Sequence, residues 1–389
     1  MRTHLGVRLL VAAAVSLLVS PPVLAQSLRQ QLVNFGSPLG SEQGMAVLAA
    51  LGSLEVSTAP LGTSTGGFTF TFDPQVRVWT RSASSFGPAF AERSLTTGRG
   101  KVSAGFNVLH AKYDSFNDQQ LDNFDFRPAQ NIQGFVVSPA HSAVALDMSS
   151  TTVVGYAHIG VSDSVDVGLA VPWIRMKVAG DGRLVGSANQ TVGTSTLTET
   201  SSSGIGDVAL YGKYRFFRQD GGGAAAAVEV RLPTGDKDEL RGLDVTRTLA
   251  SVIWSHGGKV SPHANVGYEF WSGEASMSAT GDVFVKDQFK YAFGVEIEAH
   301  PRTTIVVDLV GRGVRHGGKV GYQTFAGAGG TSIDALVGIP EGLQQVSLAP
   351  GIKWNAAGSL LFVGNVLFSL SNSGLRANAI PVVGVDWAF

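Results

Sequence analysis

The chain contains no cysteine, and this absence limits how it can be held together. Disulfide bonds are excluded, and so is a lipid anchor attached to an N-terminal cysteine. Charged residues are scarce, at 15% of the 389 residues, whereas ordinary soluble domains carry about 25%. The formal net charge of -1 gives no electrostatic reason to expect nucleic acid as a partner. Beyond residue 25, no apolar run is long enough to cross a membrane as a helix.

The first residues have the pattern of a secretory signal peptide. Two arginines precede an apolar run over 9–19, and the small residues of PPVLA lead up to a cleavage point ahead of Gln26. The run is shorter than the ~20 residues of a membrane-spanning helix, which argues against an uncleaved anchor. We therefore expect residues 1–25 to be removed during export.

Apolar residues recur at every second position from Lys101 onward, as in a strand with one apolar face. The segments VSPHANVGYEFW (260–271) and DQFKYAFGVEIEA (287–299) show this alternation. Most such runs reach the ~9 to 11 residues that a tilted strand needs to cross a bilayer. We place about twelve of them, at residues 99–113, 143–161, 165–178, 204–217, 223–233, 245–256, 259–271, 285–299, 302–314, 344–355, 359–370 and 376–389.

The connections between these runs alternate in length. Short connections lie at 162–164, 218–222, 256–259, 300–302 and 355–358. The other set lies at 114–142, 179–203, 234–244, 272–284, 315–343 and 371–375. Outer-membrane barrels have short periplasmic turns and long external loops, whereas a soluble β-sandwich has no reason to sort its loops by end. The sequence therefore predicts an all-β fold, a transmembrane antiparallel β-barrel of about twelve strands in the outer membrane of a Gram-negative bacterium.

Residues 26–98 form a segment that differs from the predicted barrel, residues 99–389, and residues 26–60 lack strand alternation. The segments SLRQQLVNF and GMAVLAALGSL favour short helices, and FTFTFDPQVRVW favours a hairpin that turns at Asp73 and Pro74. This N-terminal segment could lie below the barrel in the periplasm, plug its lumen, or add two strands to give fourteen. We favour a plug.

The chain ends in VDWAF, an alternating run that fits a last strand paired with the first. Trp387 and Phe389 are then expected in the periplasmic aromatic girdle. A terminal Phe also resembles the signal that outer-membrane proteins present to their assembly machinery, which makes that machinery an expected partner beside outer-membrane lipid.

Charged and polar residues collect on the face opposite the apolar one. Because a charge facing lipid costs up to several kcal/mol, we expect them to face the lumen. The predicted lumen-facing residues are His158, Lys213, Arg215, Glu229, Arg231, His263, Glu269, Glu296, Glu298, Asp308, Arg312 and Asp386. They could line a wet channel for a small solute, or pair with one another and fill the lumen.

Several segments resemble an outer-membrane barrel family named for the MetA pathway of phenol degradation. GIGDVALYGKYRFF (204–217) and VEVRLPTGD (228–236) are similar to its strands, and FGPAFAER (86–93) with GRGK (98–101) is similar to the start of its barrels. The resemblance implies a transporter of hydrophobic or aromatic compounds. The family resembles, more distantly, the long-chain fatty-acid channels. The resemblance also implies that Gly204 and Gly206 open a strand.

Other chemistry is weakly indicated. Four aspartates in DSFNDQQLDNFDF (114–126) could hold calcium, but the glycine turn and closing Glu of an EF-hand are missing. The segment SNSG (371–374) could belong to a barrel lipid hydrolase, although no base lies near it in the sequence. We predict no enzyme, no metal and no cofactor. The function we expect is passive uptake or export of small hydrophobic or aromatic compounds, with a closed structural or surface-binding barrel as the alternative.

Overall fold

The computed structural model describes residues 26–389 except 62–66, 74–77, 118, 127–129, 133–134, 138–139, 187–188, 277–283, 317–318, 327–331 and 340. The predicted signal peptide lies outside the described residues. Helix α1 spans Leu28–Gly36, a 3-10 turn follows at Ser37–Leu39, and helix α2 spans Glu42–Thr58. Both helices form where helical segments were predicted. Neither they nor any other helix in this described part is long and apolar enough to cross a membrane.

A small hairpin follows the helices, with β1 at Phe70–Asp73 and β2 at Val78–Arg81. The predicted hairpin is therefore present, although residues 74–77 of its turn lie outside the described part. In the described residues β1 and β2 pair with each other and do not join the barrel sheet. The fourteen-strand alternative is therefore wrong.

Twelve strands form the wall of a closed antiparallel barrel, as predicted, and one of them is broken in two. The wall strands are β3 Val102–Tyr113, β4 Ala140–Gly160, β5 Val165–Gly186, β6 Thr191–Ile205, β7 Ala209–Gln219, β8 Gly222–Arg231, β9 Arg247–Ser255, β10 Val260–Trp271, β11 Phe284–His300, β12 Thr303–His316, β13 Leu343–Ala357, β14 Leu360–Ser369 and β15 Ala379–Ala388. Strands β6 and β7 follow one another beside β5 and together make one wall position.

The barrel closes by pairing β15 with β3. At this seam the Phe389 N–H donates to the Val102 carbonyl at 2.9 Å, and the Val102 N–H donates to the Phe389 carbonyl at 3.3 Å. The Trp387 and Phe389 rings lie 4.6 Å apart and are exposed on the outside of the wall. Closure leaves no unpaired strand edge at this position, as a structure surrounded by hydrocarbon requires.

The connections fall into two sets, as predicted. Those at 161–164, 220–221, 256–259, 301–302 and 358–359 are short and lie at one end, here called the turn end. The opposite end, called the loop end, carries the longer connections. Short strands occur there at Ser115–Phe116, Gln119–Gln120, Phe124–Phe126, Gln130–Ile132, Phe135–Val137, Ala275–Ser276, Lys319–Ala326, Ser332–Ile339 and Leu375–Arg376, with a 3-10 turn at Leu121–Asn123.

The predicted loop at 179–203 is wrong. Strand β5 continues through most of it, and β6 pairs with β5 in a long hairpin that extends past the loop end. The segment was missed because many side chains on both faces of β6 are exposed and polar, so no apolar alternation marks it. Its many threonines nevertheless favour extended backbone. The resemblance implied that a strand opens at Gly204 and Gly206. Instead, β6 ends at Ile205, the chain leaves the sheet at 206–208, and β7 begins at Ala209.

The wall is apolar outside and charged inside. Outward side chains such as Phe106, Val252 and Phe362 are exposed. Inward side chains such as Arg247 and Asp308 are fully buried, with exposures of 0%. Because exposed apolar surface is unfavourable in water, this pattern fits a wall that is surrounded by lipid.

Helix α2 lies inside the barrel. Almost every residue from Gly44 to Thr58 is buried. Near its C-terminal end the helix contacts Arg231 of β8 and Arg312 of β12, which belong to different parts of the wall. This helix of the N-terminal segment therefore lies in the lumen.

Closure of the barrel can be tested with the cysteine-free chain. Val108 and Val383 are register partners across the β3–β15 seam, so the double variant Val108→Cys/Val383→Cys is expected to form an intramolecular disulfide on oxidation. The control Val108→Cys/Val385→Cys should keep free thiols, because diagonal neighbours are too far apart to bridge. Thiol counting by mass spectrometry measures both. Free thiols in the first variant would contradict the closed seam.

Candidate functional site

Three wall arginines surround the C-terminal end of α2, and we call them the arginine clamp: Arg231, Arg247 and Arg312. The last carbonyls of a helix lack partners within it, and the helix dipole places partial negative charge there. Arg231 Nη1 and Arg247 Nη2 donate to the Ser57 carbonyl at 2.7 and 2.9 Å. Arg312 donates to the Thr58 hydroxyl. The clamp therefore stabilises the end of the helix inside the lumen.

Buried carboxylates balance the arginine clamp. Asp207, at the break between β6 and β7, accepts a hydrogen bond from Arg247 Nη2 at 2.9 Å. Glu269 accepts from Lys290 Nζ at 2.5 Å and from Trp271 Nε1 at 2.8 Å. Charges this deeply buried are tolerated only with opposite charges and hydrogen bonds around them.

Glu55 joins α2 directly to the wall. Its Oε1 atom accepts from Arg312 Nη2 and from Gln345 Nε2, each at 2.7 Å. Burial raises the pKa of the Glu55 carboxyl, while the neighbouring Arg312 guanidinium opposes this rise. This carboxyl thus links a helix that carries few charges to two wall strands.

A second lumenal segment, residues 86–97, has no regular secondary structure, and we call it the lumen strap. Its backbone N–H groups donate to wall side chains. Those of Ala89, Phe90 and Ala91 all donate to Asp308 Oδ2, at 2.8, 2.8 and 3.3 Å. The Thr97 N–H donates to Asp166 Oδ2 at 2.8 Å. An irregular backbone can lie in the lumen because the wall supplies these acceptors.

Side chains strengthen the attachment of the lumen strap. Arg93 forms a buried two-pronged ion pair with Glu296, with its Nε atom 2.8 Å from Oε1. His263 lies between this pair and the strap's main acceptor, with Nε2 2.8 Å from Asp308 Oδ1. Glu92 and Asn265 exchange hydrogen bonds through the Glu92 backbone.

A cavity of about 260 Å³ lies between the end of α2 and the lumen strap, and we call it the main cavity. The chain from Glu55 to Leu61 borders it on one side, and Phe90 and Glu92 border it on another. Its wall includes apolar side chains of several strands, among them Leu109, Ala111, Ile253, Ala292, Leu367, Leu375 and Ala377. For comparison, an apolar protein cavity of about 150 Å³ can hold benzene.

Most charged groups that border the main cavity are paired with an opposite charge, whereas the Arg376 guanidinium, which also borders it, donates to neutral oxygens of Ser371 and Asn372. Arg231 forms an ion pair with Glu229, and Arg312 forms one with Glu55. Glu92 Oε2 lies 3.7 Å from Lys213 Nζ. A charged solute would have to compete with these pairs, whereas a neutral solute would need no counter-charge.

The predicted lumen-facing residues fall into two groups by burial. Those that are buried inside the barrel are His158, Lys213, Arg231, His263, Glu269, Glu296, Asp308 and Asp386. Glu229 and Arg312 are half-buried beside the main cavity, and Arg215 and Glu298 are half-buried near the turn end. Of the twelve, Glu229, Arg231 and Arg312 border the cavity, and most others hold the N-terminal segment or one another.

Some important residues were not predicted. Glu55, Phe90 and Arg93 lie in the N-terminal segment, where no strand alternation assigns a side chain to one face. Phe90 does occur in FGPAF, which family resemblance singled out without giving it a role. Alternation along β9 could have identified Arg247, which lies on the same face as Leu249 and Ser251 of the cavity wall.

Two minor hypotheses concern the loop end. Among the described residues no group of three His, Asp or Glu is placed to hold a metal ion. Asp118 of the aspartate-rich loop lies outside the described part, and Asp114 accepts a hydrogen bond from the Asn378 N–H at 2.7 Å. Ser371 of SNSG accepts one from the Val346 N–H at 3.2 Å.

The closed sheet, the apolar outer wall and the charged interior define a membrane-spanning β-barrel of the outer-membrane type. The family described as "MetA-pathway of phenol degradation" matches residues 126–331. This match covers more than half of the 389 residues, and the chain belongs to this family. No curated protein matches the chain.

Solved structures include several distant likenesses. An outer-membrane channel from Pseudomonas putida F1 is similar over 76% of this chain and 98% of its own, with 12% identity and a TM-score of 0.47. A FadL homologue from Pseudomonas aeruginosa is similar over 86% and 98%, with 12% identity and a TM-score of 0.35. The CymD monoaromatic hydrocarbon channel is similar over 75% and 88%, with 10% identity and a TM-score of 0.32. At these scores the likenesses carry no inference about function.

The arginine clamp predicts how firmly α2 is held. Arg312→Met removes the ion pair with Glu55 and should cost about 3 kcal/mol locally, because it leaves a buried carboxylate with one partner fewer. Hydrogen–deuterium exchange over residues 42–58 is therefore expected to speed up at least tenfold. Arg302→Met, at an exposed turn-end position, is the matched control and should leave the exchange unchanged. Equal exchange in both variants would show that Arg312 does not hold the helix.

Proposed function

We propose that this protein is a passive outer-membrane channel for small, neutral, hydrophobic or aromatic compounds. The main cavity is the observation that carries this proposal. It lies inside the barrel, its wall is largely apolar, and its volume of about 260 Å³ suits a monocyclic aromatic with small substituents. The family description, which refers to phenol degradation, agrees with this class of solute.

The pairing of charges around the cavity supports a neutral solute. Glu229, Arg231 and Arg312 already have opposite charges beside them. Beside these groups a charged solute would lose its hydration and would have to compete with a partner that is already in place. The ring of an aromatic solute can pack on the apolar part of the wall, and a single hydroxyl can exchange hydrogen bonds with polar groups such as Gln345 or Ser347.

Passage through the barrel requires part of the N-terminal segment to shift. The end of α2 and the lumen strap both border the cavity, and both are held by hydrogen bonds and ion pairs rather than by covalent links. Such contacts can exchange partners when a segment moves. In this proposal the solute enters from the loop end, rests in the main cavity, and leaves toward the turn end.

The alternative function is a closed barrel whose long hairpin β5–β6 meets an external partner. The observation in its favour is the presence of α2 and the lumen strap in the lumen, which leaves a cavity rather than an open pore. Under this alternative, blocking the main cavity would have no effect on solute uptake. We propose neither an enzymatic activity nor a bound cofactor or metal for this barrel.

We also propose a route to the membrane. Residues 1–25 act as a signal peptide that is removed ahead of Gln26, and the assembly machinery binds the last strand through Trp387 and Phe389. The exposure of both rings on the outside of the wall supports this role.

Uptake measurements on a cavity-filling variant test the channel function. Ala292 is buried on the inner face and borders the main cavity, so Ala292→Phe is expected to fill it and lower uptake of labelled toluene at least tenfold. Ala226→Phe makes the same change at an exposed position of β8, three wall positions from β11, and is the matched control. Cells carrying equal amounts of each protein in the outer membrane are compared. The closed barrel would be favoured if cells with the unchanged protein, Ala292→Phe or Ala226→Phe all take up no more toluene than cells without the protein.

A further inference from the structure

Two cavities lie next to each other inside the described part of the barrel, and Phe90 borders both of them. The first is the main cavity. The second has a volume of about 10 Å³, roughly the space of one water molecule, and we call it the lower cavity. Phe90 is the aromatic side chain of the lumen strap that lies between the two spaces.

The wall shows the order of the two cavities along the barrel axis. On β3, Leu109 borders the main cavity and Asn107 borders the lower one. On β14, Leu367 borders the main cavity and Asn365 borders the lower one. Because β3 and β14 both begin at the turn end, the lower cavity lies one step closer to that end on both strands. Phe90, which borders both cavities, therefore lies at the boundary between them along the barrel axis.

The backbone at Phe90 is fixed independently of its ring. Asp308 accepts hydrogen bonds from three consecutive N–H groups, those of Ala89, Phe90 and Ala91. Arg93 anchors the following turn of the chain to Glu296. Shortening the side chain of Phe90 would thus leave these contacts in place and change chiefly the space between the cavities.

We propose that the Phe90 ring is the floor of the main cavity and determines the size of the aromatic solute that it accepts. This inference rests on the proposed function. Removing the ring joins the main and lower cavities and adds the volume of six ring carbons, which exceeds that of the four carbons by which a bicyclic differs from a monocyclic aromatic. Phe90 is thereby a specificity-determining residue rather than a part of the barrel's support.

Equilibrium binding of two neutral probes tests this role. Phenol and 2-naphthol share one hydroxyl and differ by one fused ring. In the purified full-length mature protein, Phe90→Ala is expected to strengthen 2-naphthol binding at least tenfold while phenol binding changes less than threefold. Phe90→Leu should give an intermediate gain, and it keeps the test available if the alanine variant does not fold. Phe106→Ala removes the same ring from the outer wall and corrects for partition into detergent.

Hydrogen exchange over residues 86–97 provides a second readout. If Phe90 serves only as the floor of the main cavity, exchange in Phe90→Ala is unchanged. If Phe90 supports the fold of the lumen strap, exchange becomes faster. The inference would be overturned if phenol binds but the ratio of the phenol and 2-naphthol affinities in both Phe90 variants equals that of the unchanged protein. The proposed function would then still stand. Failure of both probes to bind any form of the protein would overturn both. A shifted ratio with unchanged exchange supports Phe90 as the floor.

Discussion

Backbone groups inside the barrel need hydrogen-bond partners, and the charged inner face of the wall supplies them. The rest of the structure depends on this constraint. Wall arginines donate hydrogen bonds to the Ser57 carbonyl and to the Thr58 hydroxyl at the end of α2. The wall carboxylates of Asp308 and Asp166 accept hydrogen bonds from N–H groups of the lumen strap. In these contacts the wall charge is opposite in sign to the partial charge of the atom that it meets.

The main cavity is the space that remains between these two attached segments. The arginine clamp holds the helix end, the Asp308 carboxylate holds the strap, and the wall between them carries small or aliphatic side chains such as Ala111 and Ala292. Several nearby charges, among them Arg231 and Arg312, are used to hold the N-terminal segment. One set of interactions therefore fixes both the position of the N-terminal segment and the borders of the main cavity.

Alternation was enough to predict the barrel, because a wall between lipid and a polar lumen imposes a period of two on every strand. The same rule placed Glu229, Arg231 and Arg312 on the inner face, where they border the cavity. It could not identify β6, whose exposed threonines and serines lack a buried face. It also could not assign Phe90 or Glu55, since a plug follows the shape of the lumen rather than the period of a strand. Arg93, the partner of Glu296, lies in that plug and was equally beyond reach.

A crystal structure of the full mature protein with bromobenzene tests the central claim most directly. Bromine gives an anomalous signal that locates the ring without assumptions about the binding site. We expect a peak inside the barrel between Thr58 and Phe90, with the apolar wall around it. Peaks confined to the lipid-facing surface, with none between the helix end and the lumen strap, would contradict it.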